Sequence, residues 1–296
     1  MNNFKGILLM LIAMAGFTME DLFMKKLSVN LSTGQILITL GFGSSLVFAL
    51  MAKSKGYKLT AKIFWSKGMI IRQFAEGIAA VAFITSLTLI PLSTVAAVFQ
   101  ATPLVITMGA ALFLGEAVGW RRWLAIIVGL IGVLIIIRPG LNSFDPNVVY
   151  ILIAVLFVTV RDLITRKLPM NVPSTIVSFQ AFASLIIAGG ILIFLSDQKI
   201  VGLDKNQIYF VLGGIIFGVI GYYCIVASTR IGEAGVVTPF RYSRLLFAII
   251  IGFLFFNERP DFYTLLGASI VIMTGIYTVL RERYLARRSR AKMFNN

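Results

Sequence analysis

The chain consists of long apolar runs separated by short segments that carry charged residues, proline or glycine. Several runs, such as 34–52 and 92–114, match the roughly 20 helical residues that cross the hydrocarbon part of a bilayer. Such a run predicts a membrane-spanning helix, because a helix satisfies its own backbone groups within lipid. The predicted helices are 4–26, 33–52, 68–90, 92–114, 121–138, 147–168, 173–195, 207–231, 235–256 and 261–281.

Composition points the same way. Of the 296 residues, 58% are hydrophobic and 13% are charged, and the mean hydropathy is +0.93. A soluble domain carries about 25% charged residues, so a soluble fold is excluded. We therefore expect an all-α integral membrane protein with the lipid bilayer as its main partner.

Lysine and arginine are unevenly distributed over the segments between the predicted helices. If both termini are cytoplasmic, seventeen of the 27 basic residues lie on the cytoplasmic side and six on the other. Because basic residues concentrate on that side, we expect cytoplasmic termini and a location in a cell inner membrane. The net charge of +15 does not indicate a nucleic-acid partner, since the basic residues occupy helix ends and loops.

Sequence landmarks recur after 141 to 142 residues. Residues 20–27 near the end of the first helix correspond to 161–168 near the end of the sixth, and 113–116 correspond to 255–258. Five helices is an odd number, so the second unit must enter the membrane from the opposite side. This gives the inverted repeat typical of secondary transporters, although apolar segments also align by chance. The expected units are two five-helix repeats around a central cavity and a basic cytoplasmic tail, in residues 1–140, 141–284 and 285–296.

Short motifs occupy corresponding places in both halves. They are LIPLS at 89–93, Pro103, LGE at 114–116, GLIG at 129–132, TPFRY at 238–242, GFLFFNERPD at 252–261 and Gly267. In this order they resemble the drug/metabolite transporter superfamily, in its bacterial EamA-type branch, over nearly the whole chain. One departure is Asn257, where a glycine before the glutamate is commoner.

The resemblance implies a ten-helix fold that transports by alternating access, with a cavity lined mainly by helices 1, 3, 4, 6, 8 and 9. Members of the superfamily carry amino acids, nucleotide-derived metabolites such as S-adenosylmethionine, amines and drugs. The first half is most similar to the S-adenosylmethionine-uptake type, notably at Ile71-Arg72 and the small-residue helix that follows.

Charged side chains inside the predicted helices are the candidate site, because a charge at mid-membrane is costly and usually marks a pathway. Arg72 and Glu76 share a helix face at i, i+4; they either form a structural ion pair or meet a zwitterionic substrate. Arg241 and Arg244 could hold a substrate carboxylate, and snorkelling to the surface is the alternative. The substrate-binding candidates are Arg72, Glu76, Gln100, Tyr222, Arg241, Tyr242 and Arg244.

Asp21 and Asp162 are candidate gates. We expect Asp21 near the outer mouth and Asp162 near the inner one, because their helices run in opposite directions. Solvated charges at helix ends are the alternative. The expected partners when each side closes are Lys25 or Lys26 outside and Arg161 or Arg72 inside.

Proton coupling is a further expectation. A carboxyl group buried away from water takes up a proton more readily than one in water, so Glu20, Asp21 or Glu76 could accept a driving proton. The gating or proton-coupling candidates are Glu20, Asp21, Arg161 and Asp162.

The residue inventory narrows the function. There is no histidine and one cysteine, Cys224, so histidine acid–base chemistry and clustered thiolate metal sites are excluded, and no cofactor or metal is expected. No P-loop is present. The sequence predicts a secondary active transporter of a small polar or zwitterionic metabolite, an amino acid or a molecule like S-adenosylmethionine. Export of drugs or amines is the alternative; a membrane-embedded enzyme or a passive channel is disfavoured.

Overall fold

The computed structural model describes residues 3–61, 64–116, 118–141, 144–167, 172–197, 199–231 and 234–294. These residues contain ten segments long and apolar enough to cross a membrane, which confirms the predicted all-α membrane fold. The helices are α1 (Asn3–Leu27), α2 (Thr33–Ser54), α3 (Lys67–Leu89), α4 (Leu92–Phe99), α5 (Thr102–Leu114), α6 (Trp120–Ile137), α7 (Val148–Lys167), α8 (Ser174–Ser196), α9 (Lys205–Ile231), α10 (Ala234–Val237), α11 (Ser243–Phe256) and α12 (Phe262–Phe294).

Two of the ten spans are interrupted, whereas the sequence predicts each as one continuous helix. The fourth span breaks between α4 and α5, and Pro103 stands in the first turn of α5. In the ninth span a 3-10 turn, Thr238–Tyr242, lies between α10 and α11 and contains Pro239. Proline has no backbone N–H to continue a helix, so both breaks have the same cause. In transporters, discontinuous helices typically form the binding site.

The halves are interleaved rather than side by side. Helix α1 packs mainly against α9, α3 against α7, α2 against α8, and α6 against α12, so each of these pairs joins the first half to the second. The repeat makes α1 equivalent to α7 and α3 equivalent to α9. The pairs α1/α9 and α3/α7 therefore exchange under the repeat, which is what a twofold relation between five-helix units requires.

Equivalent turns close the fourth and ninth spans. Gly115 after α5 has φ 67°, and Asn257 after α11 has φ 53°, both in the left-handed region. The following backbone N–H of Glu116 donates to Ala110 at 3.2 Å, and that of Glu258 donates to Gly252 at 3.0 Å. Asparagine is one of the few residues besides glycine that adopts this conformation readily. The departure at Asn257 therefore preserves the turn.

Candidate functional site

Asp21 and Arg244 form a buried ion pair between the two halves. Nη2 of Arg244 donates to Oδ1 of Asp21 at 2.9 Å and to Oδ2 at 2.7 Å. The side chains of Asp21 and Arg244 are only 4% and 16% exposed. The sequence predicts Lys25 or Lys26 as the partner of Asp21, but the structure gives Arg244, because the 3-10 turn places the start of α11 against α1.

Three phenyl rings surround the Arg244 guanidinium. Its central carbon lies 5.5 Å from the ring centroid of Phe17, 5.6 Å from that of Phe83 and 5.4 Å from that of Phe99. The rings of Phe83 and Phe99 also meet edge to face, with centroids 5.1 Å apart. All three distances to the guanidinium fall within the range of cation–π attraction. We call Phe17, Phe83 and Phe99 the aromatic cage.

Glu20 points away from this pair, toward α9. Its residue is 8% exposed, and a Cβ atom on Gly218 would lie 2.5 Å from its Oε1 atom. Within the described part of the chain Glu20 makes no hydrogen bond or salt bridge, and the charged groups that act on it are Asp21 and Arg244. The space that Gly218 leaves is therefore filled by the carboxyl group of Glu20.

A second group of charges joins α3 to α7. Nη1 of Arg161 lies 2.9 Å from Oε1 of Glu76, and Nε of Arg161 lies 2.8 Å from Oδ1 of Asp162. The predicted Arg72–Glu76 pair is present at 3.4 Å, and Nε of Arg72 also donates to Thr165 at 3.0 Å. We call Arg72, Glu76, Arg161 and Asp162 the Arg161 cluster; like the Asp21–Arg244 pair, it ties the two halves together.

Arg241 lies between these two groups. It precedes Arg244 by one turn, and the charged groups that act on it are Asp162, Arg161 and Arg244. It is nevertheless exposed, and it makes no hydrogen bond or salt bridge with any residue that the structure describes. The exposed guanidinium thus lies near the charged groups of α7 and α11, and the 3-10 turn that carries it packs against α1 of the first half.

The remaining candidates are placed differently. Gln100 is 6% exposed and directly follows α4, at the break in the fourth span. Tyr242 is buried with its hydroxyl group against Gly275 of α12. Tyr222 meets Phe48 edge to face at 5.6 Å and lines a cavity of about 500 Å³ between α2, α8 and α9. Tyr222 thus lies apart from the charged groups, whereas Tyr242 adjoins Arg241 but turns its hydroxyl group toward α12.

A further ion pair, between Lys25 and Glu258, was not predicted from the sequence. Nζ of Lys25 lies 3.1 Å from Oε1 of Glu258 and donates to the carbonyl of Ile90 at 2.8 Å. The Glu258 carboxylate accepts the backbone N–H groups of Leu92 at 2.7 Å and Ser93 at 3.0 Å. The sequence marks Glu258 only as a landmark of the repeat, because its partners are distant along the chain.

The pKa of Glu258 is lowered below its ordinary value. Burial raises this pKa, but the hydrogen bonds from Ser93 and Leu92 and the charge of Lys25 together outweigh burial. Glu258 lies just beyond the ninth span and acts as a carboxylate cap on the first turn of α4, where negative charge is favourable. The carboxylate is therefore held in its ionised form.

Comparison with known proteins matches this architecture. The model of the EamA-like transporter family matches residues 4–138 and again 146–281. Over 279 residues the chain is 25% identical to an S-adenosylmethionine uptake transporter of Rickettsia conorii, covering 94% of this chain and 93% of that protein. Over 202 residues it is 28% identical to a riboflavin transporter of Rhizobium johnstonii, covering 68% and 66%. A solved crystal structure shares the fold with a TM-score of 0.63 at 16% identity, covering 96% and 99% of the two chains.

Proposed function

Because the chain belongs to the EamA-like transporter family, we propose that it is a secondary active transporter that carries a small zwitterionic metabolite by alternating access. That it is a multi-pass membrane transporter follows from the family and the ten apolar spans. The proposal adds the mechanism and the substrate class, an amino acid or a molecule like S-adenosylmethionine. It also adds the orientation, with both termini in the cytoplasm.

The unengaged guanidinium of Arg241 is the observation that carries this proposal. A planar guanidinium binds a carboxylate through two parallel hydrogen bonds, a strong charge-assisted arrangement. Arg241 lies near both groups of charges, is exposed, and is not committed to an ion pair with the described residues. It is therefore better placed than Arg244, which already holds Asp21, to receive a substrate carboxylate.

The charges of the interior favour a substrate that carries charged groups of both signs. Four carboxyl groups and four guanidinium groups lie within the spans around the Asp21–Arg244 pair and the Arg161 cluster: Glu20, Asp21, Glu76, Asp162, Arg72, Arg161, Arg241 and Arg244. An uncompensated charge in a low-dielectric interior is expensive. A substrate with charged groups of both signs can pair each of them with an opposite charge of the protein.

The two groups of ion pairs suit alternating access. Phe83 of the aromatic cage follows Glu76 of the Arg161 cluster by seven positions in α3, about 10 Å along a helix. Each group joins the first half to the second, so opening a path from either face requires one of them to separate. With cytoplasmic termini, the Asp21–Arg244 pair closes the outer side and the Arg161 cluster the inner side, in line with the gating expected of Asp21, Arg161 and Asp162.

Proton coupling through Glu20 is part of this proposal. Glu20 forms no hydrogen bond or ion pair with a described residue, so its carboxyl group is not committed to another role. Glu20 adjoins Asp21, so a change in its charge alters the field at the Asp21–Arg244 pair. Protonation and release at Glu20 would then bias the state of that pair.

Counterflow in proteoliposomes tests the proposal. Vesicles preloaded with unlabelled S-adenosylmethionine or with single amino acids should take up the labelled compound faster than empty vesicles, because only an alternating carrier exchanges substrate across the membrane. Arg241→Gln should remove this acceleration, while Arg259→Gln, at an exposed position outside the spans, should keep it. Equal uptake by preloaded and empty vesicles would indicate a passive channel, and counterflow of Arg241→Gln at the wild-type rate would refute the site assignment.

A further inference from the structure

We infer that the aromatic cage receives a methylated cationic group of the substrate, a sulfonium or a quaternary ammonium, and that Arg244 occupies this position in the structure as an internal substitute. The inference rests on the proposed function, since it names the cationic part of the zwitterion. It assigns the selection of that part to Phe17, Phe83 and Phe99.

The cage has the geometry of a site for a weakly hydrated cation. Rings from α1, α3 and α4 stand at 5.4 to 5.6 Å from one positive carbon centre, and the Asp21 carboxylate balances the charge. Phe83 and Phe99 are only half-buried, so the surrounding helices do not enclose them completely. Aromatic cages of this kind recognise methylated cations in other proteins.

The hydrogen bonds of Arg244 show which cations the cage favours. A guanidinium has five N–H donors, yet only Nη2 of Arg244 donates to a described residue, and Asp21 is the sole acceptor there. A primary ammonium is strongly hydrated and brings three donors, which one carboxylate cannot satisfy. A sulfonium or quaternary ammonium has no N–H donor, so it loses no hydrogen bond on entering the cage.

Exchange between Arg244 and the substrate keeps the charge constant. When a substrate cation takes the place of the guanidinium beside Asp21, one positive charge replaces another. The released Arg244 then stands one turn from Arg241, where both can hold the substrate carboxylate. The same displacement breaks the Asp21–Arg244 pair, so binding of the correct cation is linked to separation of the two halves at that level.

The test compares a sulfonium with the matching neutral thioether. S-adenosylmethionine and its demethylated form, S-adenosylhomocysteine, share the amino acid and the nucleoside but differ in the charged centre. Their affinities are measured by competition against labelled S-adenosylmethionine in counterflow. The variants Phe83→Leu and Phe99→Leu keep an apolar side chain without a ring, and Phe23→Leu is the matched control, because Phe23 stacks on Phe217 of α9 outside the cage.

The wild type should prefer the sulfonium, and each cage variant should weaken sulfonium binding about threefold to tenfold while thioether binding stays within about twofold. Phe23→Leu should change neither the sulfonium affinity nor the thioether affinity. If the cage variants weaken both compounds equally, or if the wild type binds both equally, the cage inference is overturned while the carrier proposal stands. If no zwitterionic compound gives counterflow, the proposed function itself fails, and the inference with it.

Discussion

The ammonium group of Lys25 lies 3.1 Å from the carboxylate of Glu258, and the same carboxylate caps the first turn of α4. One contact therefore joins α1 and α4 of the first half to the loop after α11 of the second. Lys25 lies four residues beyond Asp21 on α1. Because Asp21 itself contacts α11 through Arg244, two ion pairs join this part of α1 to the second half.

We expect the Lys25–Glu258 contact to stop stabilising the fold at low pH. The pKa of Glu258 is lowered from 4.5 in the folded protein, so its ionised form stabilises the fold above about pH 4.5, and this contribution is lost as the pH falls through the lowered value. Glu258→Gln should lower the thermal midpoint at pH 7 and should show a smaller further loss on acidification than the wild type. The midpoints are measured in detergent from pH 7 to pH 3; parallel acid losses in both proteins would contradict the assignment.

A double-mutant comparison tests the buried Asp21–Arg244 pair. Asp21→Asn leaves the guanidinium buried without its counter-charge, which costs about 3 to 5 kcal/mol for pairs of this kind. Replacing both partners, as Asp21→Asn with Arg244→Met, should recover most of that loss, because no buried charge remains. The free energy of unfolding is measured in detergent for the wild type, the two single variants and the double variant. A double variant that is as unstable as the sum of the two single variants would show that the side chains do not interact.

Gly218 offers a way to disturb Glu20 without removing its charge. A Cβ atom at position 218 would lie 2.5 Å from Oε1 of Glu20, so Gly218→Ala must move the carboxyl group. We expect uptake to fall about tenfold if Glu20 carries the driving proton. The thermal midpoint should change little, because the end of a flexible side chain can yield. Gly190→Ala is the matched control, since a Cβ atom there meets no atom within 4 Å. Equal uptake by the two alanine variants would remove Glu20 from the mechanism.

The sequence could predict the spans because lipid leaves a chain few options. Backbone groups must pair within each span, so the apolar runs gave the ten helices and most of their ends. The i, i+4 spacing likewise gave an ion pair as one of two alternatives for Arg72 and Glu76, and the pair is present. Contacts between distant segments left no comparable signal: the capping of α4 by Glu258 depends on how the halves interleave.

The aromatic cage likewise could not be predicted from the sequence. Phe17, Phe83 and Phe99 look like any other apolar residues of their helices, and only their convergence on Arg244 distinguishes them. The breaks in the fourth and ninth spans could have been read from Pro103 and Pro239. Proline marks such a break only weakly, because helices in membranes often tolerate it.

Cysteine labelling tests the inverted orientation of the two halves. Lys55 directly follows α2 and Asp197 directly follows α8, both are exposed, and the repeat makes them equivalent positions. A same-sense repeat would place equivalent residues on one membrane face, whereas an inverted repeat places them on opposite faces. In a Cys224→Ser background, which removes the single native thiol, we expect Asp197→Cys to react with a membrane-impermeant maleimide on intact cells. Lys55→Cys should react only after the membrane is opened. Reaction of both positions from the same side would rule out the inverted repeat, and the reverse pattern would place the termini outside.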